Sequence, residues 1–573
     1  LQDPNLTIST LLEKLVGDKD SLYEQYLYDQ QFSHQGWSGM VSTVEDLPQS
    51  LLDTRIIKLD DFILFELLLE YDALNYKLGQ SWAPVGNFVT DEIIPLHDPI
   101  VYSEKMDVLS LWQEAFEWSY YDQVLKGLQM EKIDSIKPHQ KSFQAMFCID
   151  DRECSFRRHL ENLDPACETF GTPGFFSVEF FYQPVGGKFY TKLCPAPVTP
   201  KYLIKEEGSE KKLGTDVHFS KHSHNFYTGW LFSQTIGFWS AAKLFVSLFK
   251  PSMSPATASS LKHVDKFSTI RVDYQAMENG LQIGFQIEEM AVRVESLLKS
   301  IGLVENFAPI VYVIGHGASS VNNPHYAAYD CGACSGRAGS VNARVISQMA
   351  NKPEVRAILR EKGIHIPEST VFVGGLRDTT RDDVVFYDEE IAYADYKIMH
   401  ADHVKLFAKA LDNNAKERSR RFESIDTSAK ASEIHEKIRT RSVSIFEPRP
   451  ELNHATNALC IVGRRELSKG VFLDRRSFLN SFDYRVDPDG TFLFNILKAA
   501  APVCGGINLE YYFSRVDGEK LGAGTKLPHN VMGLFGVANG IDGDLRPGLP
   551  AQMTEVHDPV RLLLIVEHFP EVV

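Results

Sequence analysis

The sequence predicts an α/β protein. A parallel or mixed sheet core carries a large insertion and lies between an N-terminal helical region and a C-terminal region of mixed α+β character. Three observations predict it. First, the short and mostly apolar runs 143–149 and 309–314 have the character of strands buried on both faces, and 370–373 and 384–387 read as further strands. Second, the first run exits through Asp150-Asp151-Arg152-Glu153 into a helical pattern carrying Phe156, His159, Leu160 and Leu163, the strand-then-helix order of a βαβ unit. Third, apolar residues from 11 to 128 recur at three and four, as in Phe62-Ile63-Leu64-Phe65 and Val108-Leu109-Ser110-Leu111-Trp112, which is helical spacing.

Taken in order, residues 1–137 read as a helical scaffold without a chemical motif, and residues 138–165 with 305–392 as the α/β core. The insertion, 166–304, is expected to hold a strand at 175–181, a charged exposed loop at 202–223 and an amphipathic helix at 281–297. Its apolar run 230–249 is interrupted by Gln234 and Lys243, so it reads as a buried helix or a partner-docking surface rather than a membrane span. A helix is expected at 337–349. A second helical segment fills 393–440, with Lys416 to Arg421 on a solvated face, and 441–573 is α+β, ending in the strand 562–566. The chain opens on Leu1-Gln2-Asp3-Pro4, with neither an initiator Met nor a signal-peptide pattern, and reads as incomplete at its N-terminus.

Composition narrows the function. At 573 residues the chain exceeds one ordinary core, and with 44% apolar and 24% charged residues it has a globular composition. Its 59 basic and 76 acidic residues give a net charge of -17, which excludes nucleic acid as the expected partner. Eight cysteines spread thinly over such a length read as reduced thiols rather than as a disulfide framework.

The chemistry concentrates in two distant strings, Cys148-Ile149-Asp150-Asp151-Arg152 and Gly315-His316-Gly317, the second followed by Asp330-Cys331-Gly332-Ala333. Two thiolates, an imidazole and a carboxylate suit Zn²⁺, and a carboxylate that can leave opens a coordination position. In an extended strand exit Cys148, Asp150 and Arg152 would face one side, and His316 at the carboxyl end of a neighbouring parallel strand would face the same crevice. Gly315 and Gly317 leave room for close backbone approach, and the positive end of the 337–349 helix would favour a thiolate at Cys331. Cys334 is an alternative fourth ligand that would make a closed structural site. His218, His222 and His224 read as surface residues, and His159 and His325 as structural ones. Gly522 to Lys526 lacks the Gly-Lys-Ser/Thr ending of a phosphate loop and reads as a tight loop.

The Cys-x-Asp-x-Arg string followed by His and Asp-Cys-Gly-Ala resembles the metal motifs of β-class carbonic anhydrases, but fourteen residues separate His316 from Cys331, where that class has only a few. The longer spacing, the block from Gly315 to Pro324 and the blocks around Asn508-Leu509-Glu510-Tyr511 and Asp544-Leu545-Arg546-Pro547 are similar to the DabA subunits of energy-coupled inorganic-carbon pumps. That resemblance implies Zn²⁺ held by Cys148, Asp150, His316 and Cys331, with Arg152 the partner of Asp150 and both acting in catalysis. It also implies a DabB-type membrane subunit resembling proton-translocating antiporter subunits. Carried through, it implies one-way conversion of CO₂ to bicarbonate by a gated zinc-bound hydroxide, in a peripheral protein on the cytoplasmic face of the inner membrane. A stand-alone divergent β-type carbonic anhydrase and a non-catalytic assembly protein with structural zinc are the alternatives.

Overall fold

The computed structural model describes residues 6–48, 56–89, 101–130, 141–208, 268–319, 329–393, 395–444, 447, 456–524, 531–532, 537–538, 543–546 and 548–573, with 227, 229, 230, 234, 238, 242 and 245 in between. The chain divides into two compact units. The larger, Glu117–Val516 with Thr525–Pro528 and Pro550–Val573, contains the expected α/β core.

Its central sheet has five strands: β1 (Gln144–Cys148), β2 (Glu168–Thr172), β3 (Ile310–Gly317), β4 (Val371–Asp378) and β5 (Asp383–Phe386), in the order β5-β4-β3-β1-β2. Only β4–β5 is antiparallel, so the sheet is mixed. Strand alternation sorts its apolar residues onto two cores. Met146, Val311 and Val313 face α2 (Ser340–Ala350) and the helix Ile287–Ser300, while Ala145, Phe147, Tyr312 and Ile314 face α1 (Glu153–Leu163) and α3 (Lys397–Ser419). Helices cover both faces, which explains why these strands read as mostly apolar runs. Although more than 150 residues of chain lie between them, β1 and β3 are neighbours, with Ala145 opposite Tyr312 and Phe147 opposite Ile314.

The insertion departs from expectation. The strand expected at 175–181 starts only at Phe180 (Phe180–Gln183), because Phe176 and Ser177 take left-handed backbone angles with φ of 50° and 59° in a turn. The expected exposed loop begins instead as the strand Tyr202–Glu207, whose Leu203 and Ile204 are fully buried; residues 209–223 of that loop lie outside the described residues. Residues 281–283 form a strand, and the helix begins at Ile287 behind a Gln286 capping box. These strands join Thr191–Leu193 and Ala276–Glu278 in a second sheet. Most of 230–249 is likewise outside the described residues, but Trp230, Phe238 and Phe245 are helical and 64%, 82% and 62% exposed, against the buried-helix reading.

The segment 416–421, at the end of α3, is solvated only in part: Arg420 and Arg421 are exposed. Arg418 and Ser419 are buried, and Arg418 pairs with Asp382 at 2.8 Å. Farther on, β6 (Leu459–Gly463), β7 (Ser477–Ser481) and β8 (Leu563–Val566) form a parallel sheet in the order β7-β6-β8, packed against α4 (Thr491–Val516). By length and composition α4 is apolar enough to cross a membrane.

The smaller unit comprises Leu1–Phe116, Asp517–Gly524 and His529–Leu549. Its helices Ile8–Val16, Tyr23–Ser33 and Leu59–Leu78 gather around Leu11, Leu12, Leu15, Val16 and Leu67, and Gln35–Asp46 is a further helix. Asp544 accepts hydrogen bonds from the backbone N–H groups of Gly36 and Trp37.

Candidate metal centre

Cys148 is the last residue of β1 and His316 the seventh of the eight residues of β3, so the register of two parallel neighbours brings a thiol and an imidazole to the carboxyl edge of the sheet. Cys331 arrives on a closed loop. Its N–H donates to Arg337 O at 3.1 Å, and its carbonyl accepts from Cys334 N and Gly336 N at 3.0 Å each. The ligand atoms of Cys148, His316 and Cys331 lie within 4.8 Å of one another, and all three residues are buried. The two strings therefore meet.

The path to this convergence differs from the expected one. Arg152 is not extended but caps α1 in a helical conformation (φ -70°, ψ -21°), so the exit turns at Asp150, whose Oδ1 accepts the Arg152 N–H at 3.0 Å. The helix after Cys331 starts only at Ser340; the intervening turn, Gly332–Cys334, is 3₁₀, so the helix end expected to favour the Cys331 thiolate does not follow directly on that cysteine. The α2 N-terminus lies instead against β3: Gly339 N donates to His316 O at 2.9 Å, and a Cβ at Gly315 would come within 2.2 Å of Gly339 O. Gly315 is thus needed for close approach.

Asp150 stands beside the three ligands and is held by Arg152. Nε of the guanidinium donates to Oδ1 at 2.7 Å and Nη2 to Oδ2 at 2.8 Å, a bidentate pair with Arg152 fully buried. Nη2 also lies 3.2 Å from His316 Nδ1. The other ring nitrogen, Nε2, is buried without a hydrogen-bond partner and lies 3.7 Å from Asp150 Oδ2. Burial works against a charged His316, but the Asp150 carboxylate and Cys148 outweigh it and raise its pKa to about 9. Hydrogen bonding to Cys331 and burial together push the Cys148 thiol well up.

Cys334 is buried next to Cys331, yet its thiol is directed at Gly174 O (3.4 Å) and Asn342 Oδ1 (3.7 Å). Asn342 in turn donates to Val178 O and Leu193 O at 2.9 and 3.0 Å. Cys334 is thereby tied into the packing of the insertion. His159 has the structural role expected of it, hydrogen-bonded to Glu417 at 2.7 Å. His218, His222, His224 and His325 lie outside the described residues, as do 525–530 of the Gly-rich loop.

Three contributors have no signal in the two strings. Gly174, after β2, has no side chain because a Cβ there would lie 2.7 Å from Cys331 Sγ and 2.9 Å from Cys148 Sγ. Thr379, just past β4, accepts from Arg152 Nη1 at 2.9 Å. Arg377 donates from Nη1 to Arg152 O at 3.3 Å and pairs with Glu153 and Asp382 at 2.6 and 2.8 Å.

The donor set fits a metal. Two sulfurs, an orphaned imidazole nitrogen and a nearby carboxylate, enclosed by a glycine that leaves the sulfurs free, make a donor set that could hold a metal ion. The class defined by fold and site is an α/β protein with a buried Cys-His-Cys group that could hold a metal ion at the carboxyl edge of its sheet. The chain belongs to the DabA family: the family model described as "Probable inorganic carbon transporter subunit DabA" matches residues 1–573. A protein of that description from Azotobacter vinelandii is 60% identical over 100% of this chain and 68% of its own length. One from Nitrosospira multiformis is 58% identical over 99% and 63%, and one from Sorangium cellulosum 41% identical over 80% and 47%. The chain thus spans about two thirds or less of these relatives. No solved structure matches it.

Proposed function

We propose that this chain is the zinc-dependent subunit of an inorganic-carbon pump, converting CO₂ and water to bicarbonate and a proton in one direction, beside a DabB-type membrane subunit resembling proton-translocating antiporters. The observation that carries this reading is the convergence of Cys148, His316 and Cys331 within 4.8 Å beside an Asp150 clamped by Arg152. Cys148, His316 and Cys331 would hold the ion, with Asp150 the fourth donor when it leaves Arg152. A Zn²⁺ held there supplies Lewis acidity, bringing the ionisation of water from 15.7 toward about 7.

The chain's own residues control access to that chemistry. On Arg152, the Asp150 carboxylate would stand clear of a bound metal and could accept a hydrogen bond from an incoming water; released from Arg152, it would serve as the fourth donor. A freely reversible hydrase would dissipate accumulated bicarbonate as CO₂, so a carboxylate latch gives the partner something to control. The family name and the exposed Trp230, Phe238 and Phe245 support membrane association; on this reading the chain is peripheral, on the cytoplasmic face of the inner membrane, and segment 230–249 docks the partner.

The test expresses the chain with and without its membrane partner, and measures bound metal, CO₂ hydration and cellular bicarbonate uptake. Uptake that needs the partner and disappears in Cys331→Ala is the expected result. Hydration by the isolated chain would favour a stand-alone carbonic anhydrase. Uptake indifferent to Cys148, His316 and Cys331 would leave a structural zinc protein. Charged residues in place of Phe238 and Trp239 should release the chain from membranes, and unchanged association would refute docking there.

A further inference from the structure

Arg152 is gripped from two sides. Asp150 takes Nε and Nη2, as described above, while Thr379 accepts from Nη1 at 2.9 Å. Thr379 directly follows β4, a strand that supplies no metal donor, and it is itself anchored twice to β3 one residue beyond His316. Its N–H donates to Gly317 O at 2.9 Å, and its hydroxyl reaches the same carbonyl at 3.2 Å. A hydroxyl has one proton; spent on Gly317 O, it leaves a lone pair directed at the guanidinium. Thr379 and Arg152 are both fully buried, so water does not readily replace this contact.

We infer that Thr379 is a positioning residue that sets the Asp150–Arg152 latch in its released arrangement. This rests on the metal-site reading above and deepens it by naming what regulates the latch. With Nη1 seated on Thr379, the forked face of the guanidinium is presented to Asp150, and the carboxylate travels to a fixed cation rather than drawing a mobile one toward the ion. Arg377, which donates to Arg152 O at 3.3 Å, holds the backbone of the same residue. The end of β4 therefore sets where Arg152 stands, and the balance between latch and ion depends on a strand outside the donor set.

The side-chain chemistry is specific. Serine retains both the donor and the acceptor, whereas valine keeps the shape but offers Nη1 nothing. Without Thr379 the guanidinium must be ordered each time Asp150 pairs with it, a cost of the size of one hydrogen bond to a charged group, or about ten-fold in the equilibrium. Thr379→Val should therefore shift Asp150 onto the ion and close the exchangeable position.

The experiment loads the full chain with Co²⁺, whose absorption reports its coordination, and titrates azide, which binds only at an exchangeable position. The expected result is that Thr379→Val needs roughly ten-fold more azide than the unsubstituted protein, while Thr379→Ser matches the latter. In an Asp150→Ala background, the valine substitution should have no effect on azide binding, an outcome that general damage to the site would not produce. Equal azide affinity in the unsubstituted and Thr379→Val proteins overturns the inference while leaving the metal reading intact, and so does a valine effect that persists without Asp150. Failure of the unsubstituted chain to take up Co²⁺ with thiolate charge-transfer bands overturns both. Unfolding midpoints of the valine and serine variants separate a misfolded protein from a shifted latch.

Discussion

Gly174 shows how much a site can depend on an atom that is missing. A methyl group there would press on both sulfurs, at 2.7 and 2.9 Å. Gly174→Ala is therefore expected to weaken metal binding about ten-fold or more, comparable to losing an outer-shell support. Competition against a chromophoric chelator measures this, and unchanged affinity would show that the sulfurs can retreat. The donors themselves were legible in the sequence, because Cys148, His316 and Cys331 lie in short strings of metal-binding residue types. Gly174 and Thr379 were not. Each acts across space from a different strand end, and neither residue type marks a metal site. Asp150 and Arg152 were read as partners for the wrong geometric reason: the extended exit that would align them is replaced by a turn and a helix cap.

Among the elements, β3 and α3 meet in a buried cluster away from the metal group. Tyr312 Oη lies 2.8 Å from His400 Nδ1 and 3.1 Å from His403 Nδ1, and the His403 ring packs on Phe143 at 4.6 Å. Burial lowers the His403 pKa to about 4, with neighbouring His400 adding to the effect and Asp164 and Asp402 opposing it. The unfolded chain, with a histidine near 6.5, therefore takes up the proton first as pH falls. The contribution of His403 to stability is complete above about pH 6.5 and lost progressively toward pH 4. Urea midpoints across that window should fall less steeply in His403→Gln; parallel curves would refute the assignment. Long, doubly buried strands such as β1 and β3 were readable because no other element gives a mostly apolar run of that length between polar exits. Residues 281–283 were misread as helix because a short apolar run fits either period and a helix follows four residues later. The charged run at 416–421 was misread in part because Asp382, the partner that draws Arg418 inward, lies on a distant turn.

At the scale of the whole molecule, the donors come from segments that touch only when the larger unit is folded. An ion that binds the folded chain and not the unfolded one stabilises it, by about 2.7 kcal/mol at a hundred times its dissociation constant. Chelation should therefore lower the melting temperature by roughly 5 °C, and Cys331→Ala should abolish that response; a chelator-insensitive melt in the unsubstituted chain would contradict binding at this site. The broad architecture was foreseeable because composition and apolar spacing set it, whereas the second sheet of the insertion was not, its strands being short and paired over long separations. The adjacency of β1 and β3 has one more implication, for synthesis. Cys148 leaves the ribosome early and alone, and more than 160 residues must follow before His316 joins it. Over that interval the emerging polypeptide offers a passing ion only scattered donors. Metal capture is thus deferred until β1 and β3 have paired and the Cys331 loop has followed, and a correctly loaded centre certifies that this pairing is in place.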